Sequence, residues 1–270
     1  DYDSEKSRFF SEYGFQSFPE FDSVKRYAPY PEDWDIRSEV MMSHQRGGDH
    51  ANGLIETYLL NEYKKPRDFR AFLYMNHVLQ GDAIKTAIES HRRQMPYNMG
   101  TLFWQHNDCW PVASWASRDY YGRWKAQHYY TRKVYDDILI SPVVEGDDLK
   151  VYAVSDRLEN TSGRLQLQVC RFDGTVVYHW DKSVGISGND SRVCFSAPLA
   201  KLLEGALQAI DILSPAKSEQ DLRVLCCLKH AIKQQSTFYE QAEGEGKRRP
   251  RHSKKAAPQG GPELDGRHKQ

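Results

Sequence analysis

The chain has 270 residues, 39% of them apolar, a length and composition that suit one large core or two modest ones. Its 37 basic and 37 acidic residues cancel, which excludes a global field favouring nucleic acid or an anionic membrane surface. No run approaches the ~20 apolar residues of a membrane-spanning helix, and the first residues lack the basic-then-apolar order of a signal peptide.

In chain order, Arg8–Phe15 predicts a short aromatic strand ending at Gly14, where the backbone turns or is closely approached. Pro19, Pro29 and Pro31 punctuate a loop, and helix-compatible spacing follows over Glu32–His44 and Gly53–Asn61. The clearest helix is Asp68–Arg93, with Phe69, Phe72, Leu73, Leu79, Ala83, Ala87 and Ile88 at three-to-four spacing and basic residues toward its end. Gly81 threatens to interrupt it. Pro96–Trp104 reads as a strand buried on both faces. A strand, a helical crossover and a second buried strand predict a right-handed parallel βαβ unit, whose chemistry gathers at the strands' carboxyl ends.

Val134–Ser141 is expected to connect this part to a second one. From about Leu149, short alternating segments (LKVYAVS, RLQLQVCRF, TVVYHW, SRVCFSA, LQAIDIL), separated by turn signals at Asp173–Gly174 and Ser187–Asp190, predict an antiparallel sandwich. The expected domains are therefore 1–135, 143–230 and a tail, 231–270, too poor in apolar residues to fold. Its basic block, Lys247–Lys255, has the composition of a localisation signal or a nucleic-acid contact but reads in preference as a solvated tail. Five cysteines, Cys109, Cys170, Cys194, Cys226 and Cys227, form no C-x-x-C pair and leave an odd count, which speaks against a zinc cage or a closed disulfide framework. Asp1 begins no element, so the chain reads as a piece of something longer.

Two strand ends carry unusual chemistry. Glu12 sits among aromatics just before Gly14, where it could be a nucleophile, an acid or base, or a core carboxylate paired with Arg8. The second strand ends in WQHNDCWP, Trp104–Pro111, whose indoles, amides and acid suit the apolar faces and hydroxyls of a sugar. A tryptophan pair in the core would explain Trp110 and Trp115, but less well Asn107 beside Asp108. His44, Asp49, His50 and His77 match no metal-ligand spacing, and no metal or other cofactor is expected.

The segments RFFSEYGFQSFP, MGTLFWQHNDCWPVASWASRDYYGRWKAQHYY and, more loosely, MMSHQRGGDHANG resemble the carboxyl-terminal part of β-mannosidases of glycoside hydrolase family 2, over about residues 1–230. The resemblance implies the last strands and helices of a (β/α)8 TIM barrel followed by an immunoglobulin-like β-sandwich. It implies Glu12 as the nucleophile, through the match at Ser11–Gly14, and Trp104 as the indole lining the mannosyl subsite; Asn107 and Asp108 would complete the sugar-binding set, orienting hydroxyls or neighbouring side chains. His106 departs from the bulky apolar residue usual in the family. The reaction implied is removal of terminal non-reducing β-D-mannose from a β-mannoside glycan, with retention. The acid/base glutamate of the family comes from an earlier barrel strand, so the chain is expected to hold one half of a catalytic pair and to be inactive alone. A competing reading is a non-catalytic carbohydrate-binding or interaction module. Sequons at Asn160 and Asn189, together with the resemblance, favour a lysosomal, secreted or periplasmic protein.

Overall fold

The computed structural model describes residue 2, residues 4–170, residues 174–203 and the backbone of Phe238–Tyr239. The strand LQAIDIL, Cys226, Cys227 and the rest of the expected tail lie outside the described residues, but Phe238–Tyr239 correct that expectation by pairing with Arg164 and Leu165 as a short strand. The first part is helical: α1 (Phe21–Val24), a 3-10 turn (Pro31–Asp33), α2 (Glu39–Ser43), α3 (Ala51–Glu62), α4 (Phe69–Arg93) and α5 (Ala126–Val134).

Helix α4 starts where the sequence predicts, because the Asp68 carboxylate accepts from the Ala71 amide at 2.7 Å. His91, Arg92 and Arg93 fill its last turn, where cations meet the negative end of the helix dipole. It runs unbroken through Gly81. A Cβ there would lie 2.9 Å from the ring of Tyr130 on α5, so the glycine lets the two helices approach.

The strands expected at Arg8–Phe15 and Pro96–Trp104 do not form extended sheet elements, a correction to the prediction. The segments do pair in parallel around one bridge, Phe10 to Thr101. Phe10 N donates to Gly100 O at 2.9 Å, Leu102 N to Phe10 O at 2.8 Å and Met99 N to Arg8 O at 3.0 Å. With so short a ladder and no longer sheet on either side among the described residues, the segments stay irregular.

Helix α4 supplies what a neighbouring strand would. Asn76 Oδ1 accepts from Phe18 N at 2.9 Å, and Gln80 Nε2 donates to Phe15 O at 2.9 Å while its Oε1 accepts from Ser17 Oγ at 2.7 Å. His77 Nε2 donates to Phe18 O at 2.7 Å. Asn76 and Gln80 are fully buried, and these bonds satisfy backbone groups that would otherwise be stranded in the core. Phe18, Met41, Leu59 and Leu73 pack around them.

The second part is all β. Strands β1 (Ile138–Glu145), β2 (Asp148–Ser155) and β5 (Asp190–Pro198) form one antiparallel sheet in the order β1-β2-β5. The other sheet has β3 (Thr161–Cys170) at its centre, between β4 (Val176–Ile186) and β6 (Phe238–Tyr239). Alternation puts Leu149, Val151 and Ala153 of β2 and Leu165, Leu167 and Val169 of β3 into a shared core, which is the sandwich the sequence predicts. Strand β1 occupies much of the expected connection at Val134–Ser141, so the link shortens to 135–137. Asn160 and Asn189 are both exposed, in neighbouring loops where the Asn160 carboxamide oxygen accepts from Gly188 N at 3.1 Å.

The end of α4 is fastened to the sandwich by apolar and charged groups together. Ile84, Ile88 and Val134 pack on Leu139 and Val154. Beside them Arg92, 5% exposed, donates to Val134 O and Asp136 O and pairs with Asp156 at 3.0 Å. Arg93 Nη1 donates to Ser141 Oγ at 2.8 Å, and that hydroxyl donates to Glu89 at 3.1 Å. Removing one member of such a buried set strands the others, at a cost of about 3–5 kcal/mol.

Candidate active site

The ladder at Phe10 and Thr101 continues to the two predicted strand ends. Trp104 N donates to Tyr13 O at 2.6 Å, so position 104 lies across from position 13, one residue from Glu12. The Glu12 side chain is exposed and has no hydrogen bond or ion pair among the described residues. The anticipated Arg8 partner is engaged elsewhere: its guanidinium sits over the Tyr97 ring at 5.2 Å. The Trp104 indole, 41% exposed, likewise has no hydrogen bond or ring contact among the described residues. Trp104–Gln105 is a cis peptide.

Gly14 explains itself here. A Cβ at that position would lie 2.4 Å from the Trp104 carbonyl oxygen and 2.8 Å from Trp115 Cδ1. Only a residue without a side chain lets the two segments close.

The chain then folds under the site. Asn107 is exposed and bridges to Arg118. Asp108 is only 5% exposed and takes the Ser114 hydroxyl at 2.7 and 2.9 Å, with Gln105 Nε2 at 3.4 Å. Burial raises its pKa, an effect opposed first by the Lys125 charge and then by the Ser114 hydrogen bond. Lys125 is itself buried, donating to Ser17 O at 2.9 Å and Ser114 O at 3.4 Å, and burial pushes its pKa down to about 8. The sequence marks Asp108 but gives no sign of Lys125, which lies 17 positions on and meets it only through the fold.

Trp110, partly exposed, lies near His44, whose ring stacks on Tyr27 at 4.2 Å and whose Nδ1 donates to Pro111 O at 2.6 Å. His106 meets Trp124 edge-on at 5.7 Å, and the opposite neighbour His128 stacks on that indole at 3.7 Å. Among the described residues no group of three or more His, Cys, Asp or Glu side chains could hold a metal. A separate cavity of about 900 Å³ is lined by Gly14, Phe15, Leu54, Tyr58, Leu79 and Trp115, among others; neither Glu12 nor Trp104 lines it.

His77 beneath the site gives a pH test. Burial holds its pKa down to about 4, against an ordinary 6.5, so unfolding takes up a proton between those values. Its contribution is complete above pH 6.5 and is lost as pH falls toward 4, by about 2 kcal/mol after discounting for the ring's partial exposure. Urea unfolding at pH 7 and pH 4.5 should show a clearly smaller difference in His77→Gln than in the parent. Equal differences in the two proteins would rule out this role.

Comparison with known proteins gives the site its context. A profile described as a Mannosidase Ig/CBM-like domain matches residues 147–230. Beta-mannosidase of Capra hircus is 31% identical over 214 residues, covering 74% of this chain and 24% of that protein. Beta-mannosidase A of Aspergillus terreus is 34% identical over 184 residues, covering 59% of this chain and 20% of its own length. Among solved structures, a Beta-D-Mannosidase from Dictyoglomus thermophilum matches with a TM-score of 0.70 and 28% identity, over 73% of this chain and 24% of that one. The exo-chitosanase CsxA of Amycolatopsis orientalis, at 19% identity and a TM-score of 0.59, shares the fold.

An antiparallel sandwich matched by a mannosidase domain profile, preceded by a helical part, likens the chain to glycosidases. It spans about a quarter of the length of the relatives it matches. More narrowly, over about three quarters of its length the chain resembles a part of β-mannosidases, and within it a Mannosidase Ig/CBM-like domain.

Proposed function

We propose that this chain forms the nucleophile-bearing part of a retaining glycoside hydrolase that removes terminal non-reducing β-D-mannose from a β-mannoside glycan. The reading rests on one juxtaposition: the Trp104 amide bonds the Tyr13 carbonyl, one residue from Glu12, and neither the Glu12 nor the Trp104 side chain is claimed by another group among the described residues. In this reading residues 1–135 are the end of a TIM barrel, residues 143–230 its immunoglobulin-like neighbour, and the Glu12 carboxylate attacks the anomeric carbon while Trp104 stacks on the mannosyl ring. Retention needs a second carboxyl group about 5–5.5 Å from the first, to protonate the departing oxygen. Asp108 does not suit that role, being buried against Ser114. We assign the proton donor to another part of the longer protein of which these residues would be about a quarter.

The 270-residue chain alone is therefore expected to show no turnover of p-nitrophenyl β-mannoside. Turnover that Glu12→Gln abolishes would refute this half-site reading, since a complete catalytic pair would then lie within the chain. A carbohydrate-binding role for the sandwich alone has less support. Trp180 packs edge-on against Phe195 at 5.1 Å, as part of the packing around the core, and so offers no open stacking face there.

A further inference from the structure

Asp108 and Lys125 are an expensive pair to bury. A carboxylate and an ammonium removed from water each cost several kcal/mol, and apolar residues of similar volume are often the more stable choice. Val112, Ala113 and Ala116 show that the surroundings accept apolar side chains readily. The two charges have no direct ion pair among the described residues. They act instead on neutral groups: Asp108 on the Ser114 hydroxyl and the Gln105 amide, Lys125 on the carbonyls of Ser17 and Ser114.

Residues 108–114 form a loop that leaves the site and returns beneath it. Its two ends are joined by the Ser114 hydroxyl, which donates to Asp108 and accepts from Ala116 N at 3.0 Å. The returning strand holds the outgoing one: Gln105 N donates to Trp115 O at 3.2 Å, and Ser117 N to Gln105 O at 3.0 Å. Gln105 follows Trp104 directly, and its side chain bonds Asn107 O at 3.0 Å and the Asp108 carboxylate. From below, Lys125 binds the carbonyls of Ser17 and Ser114, two residues whose backbones pair with each other at 2.9 and 3.1 Å and so tie the loop to the segment that follows Glu12. Arg46 and Asp119 also face this group of charges.

We propose that Asp108 and Lys125 are positioning residues that fix the Trp104 indole for sugar binding, Asp108 by closing the 108–114 loop through Ser114 and Lys125 by anchoring that loop to the Glu12 segment. The sugar-binding part of this inference rests on the function proposed above; the positioning part does not. It gives Asp108 no contact with a hydroxyl of the substrate, because both carboxylate oxygens are turned to Ser114. Lys125, with no exposed surface to speak of, reaches no ligand either.

The test uses the full chain labelled with 5-fluorotryptophan, with the Trp104 line in the fluorine NMR spectrum assigned by Trp104→Phe and that of Trp180 by Trp180→Phe. Ser114→Ala, Asp108→Asn and Lys125→Met should each move the Trp104 line by more than its width and leave Trp180 in place. Ser114→Thr keeps the hydroxyl and should restore the line, which loss of packing alone would not predict. Methyl β-mannoside should shift the parental Trp104 line and bind about tenfold more weakly to Ser114→Ala, a change equal to about 1.4 kcal/mol. A parental Trp104 line in both Ser114→Ala and Asp108→Asn would overturn the proposal, as would equal displacement of Trp104 and Trp180 in Ser114→Ala. If Asp108→Asn fails to fold, Ser114→Ala and its threonine counterpart decide. A Trp104 line that moves in Ser114→Ala but ignores the mannoside in the parent would keep the positioning role and remove the functional reading.

Discussion

Glu12→Gln, placed in a whole-length β-mannosidase carrying this chain, is expected to lower turnover of p-nitrophenyl β-mannoside by at least about 10⁴-fold while leaving stability within about 0.5 kcal/mol. The reaction proposed for Glu12 forms a bond between its carboxylate oxygen and the anomeric carbon as the aglycone leaves with a proton from the second carboxyl group. Water then breaks that bond, assisted by the same group acting as base. A carboxamide oxygen is too weak a nucleophile for the first step. Stability should hardly change because the side chain is exposed and bonded to nothing that the substitution would strand. A chemical complement is available in Glu12→Ala with azide. A small anion entering the vacated place attacks the face the carboxylate would have used, so the product should be the α-mannosyl azide. Turnover within tenfold of the parent in Glu12→Gln would end the nucleophile assignment.

Gly14→Ala should be the most damaging small change near the site, costing about 3 kcal/mol or more in urea unfolding. The neighbour a methyl group would meet is the Trp104 carbonyl at 2.4 Å, a backbone atom that cannot rotate aside, with the Trp115 ring at 2.8 Å behind it. Gly53→Ala is the control: nothing lies within 4 Å of its added methyl, and its place inside α3 favours alanine by up to about 1 kcal/mol. Opposite signs for the two substitutions would show that approach of the segments, and not glycine flexibility, is what position 14 requires. A loss below about 1 kcal/mol in Gly14→Ala would contradict the close approach.

Much of this architecture is legible in the sequence wherever a local rule decides it. Asp68 caps α4 and the three-to-four spacing of Phe72, Leu79 and Ile88 identifies its buried face, so its boundaries emerge within a residue. Strands β2 to β5 follow from alternation, which a two-layer packing enforces position by position. Non-local causes are hidden. Gly81 looks like a helix breaker until Tyr130, 49 residues on, is found against it. Strand β1 escapes notice because Pro142 interrupts its pattern; the proline is tolerated on a strand with one sheet neighbour among the described residues. At the site, Glu12 and Trp104 stand out by composition, whereas the arrangement of Asp108 with Lys125 depends on how the 108–114 loop returns. The two predicted parallel strands failed as regular elements for a related reason, since a strand acquires its geometry from neighbours that its own residues do not encode.

The amides and imidazole that α4 turns toward Phe15–Phe18 constrain any attempt to engineer this protein. A procedure that ranks interior positions by oiliness would convert Asn76 and Gln80 to leucine, filling space well and leaving Phe18 N and Phe15 O with nothing to bind. Thermostable versions should therefore be sought among exposed helix positions, with these two amides held constant.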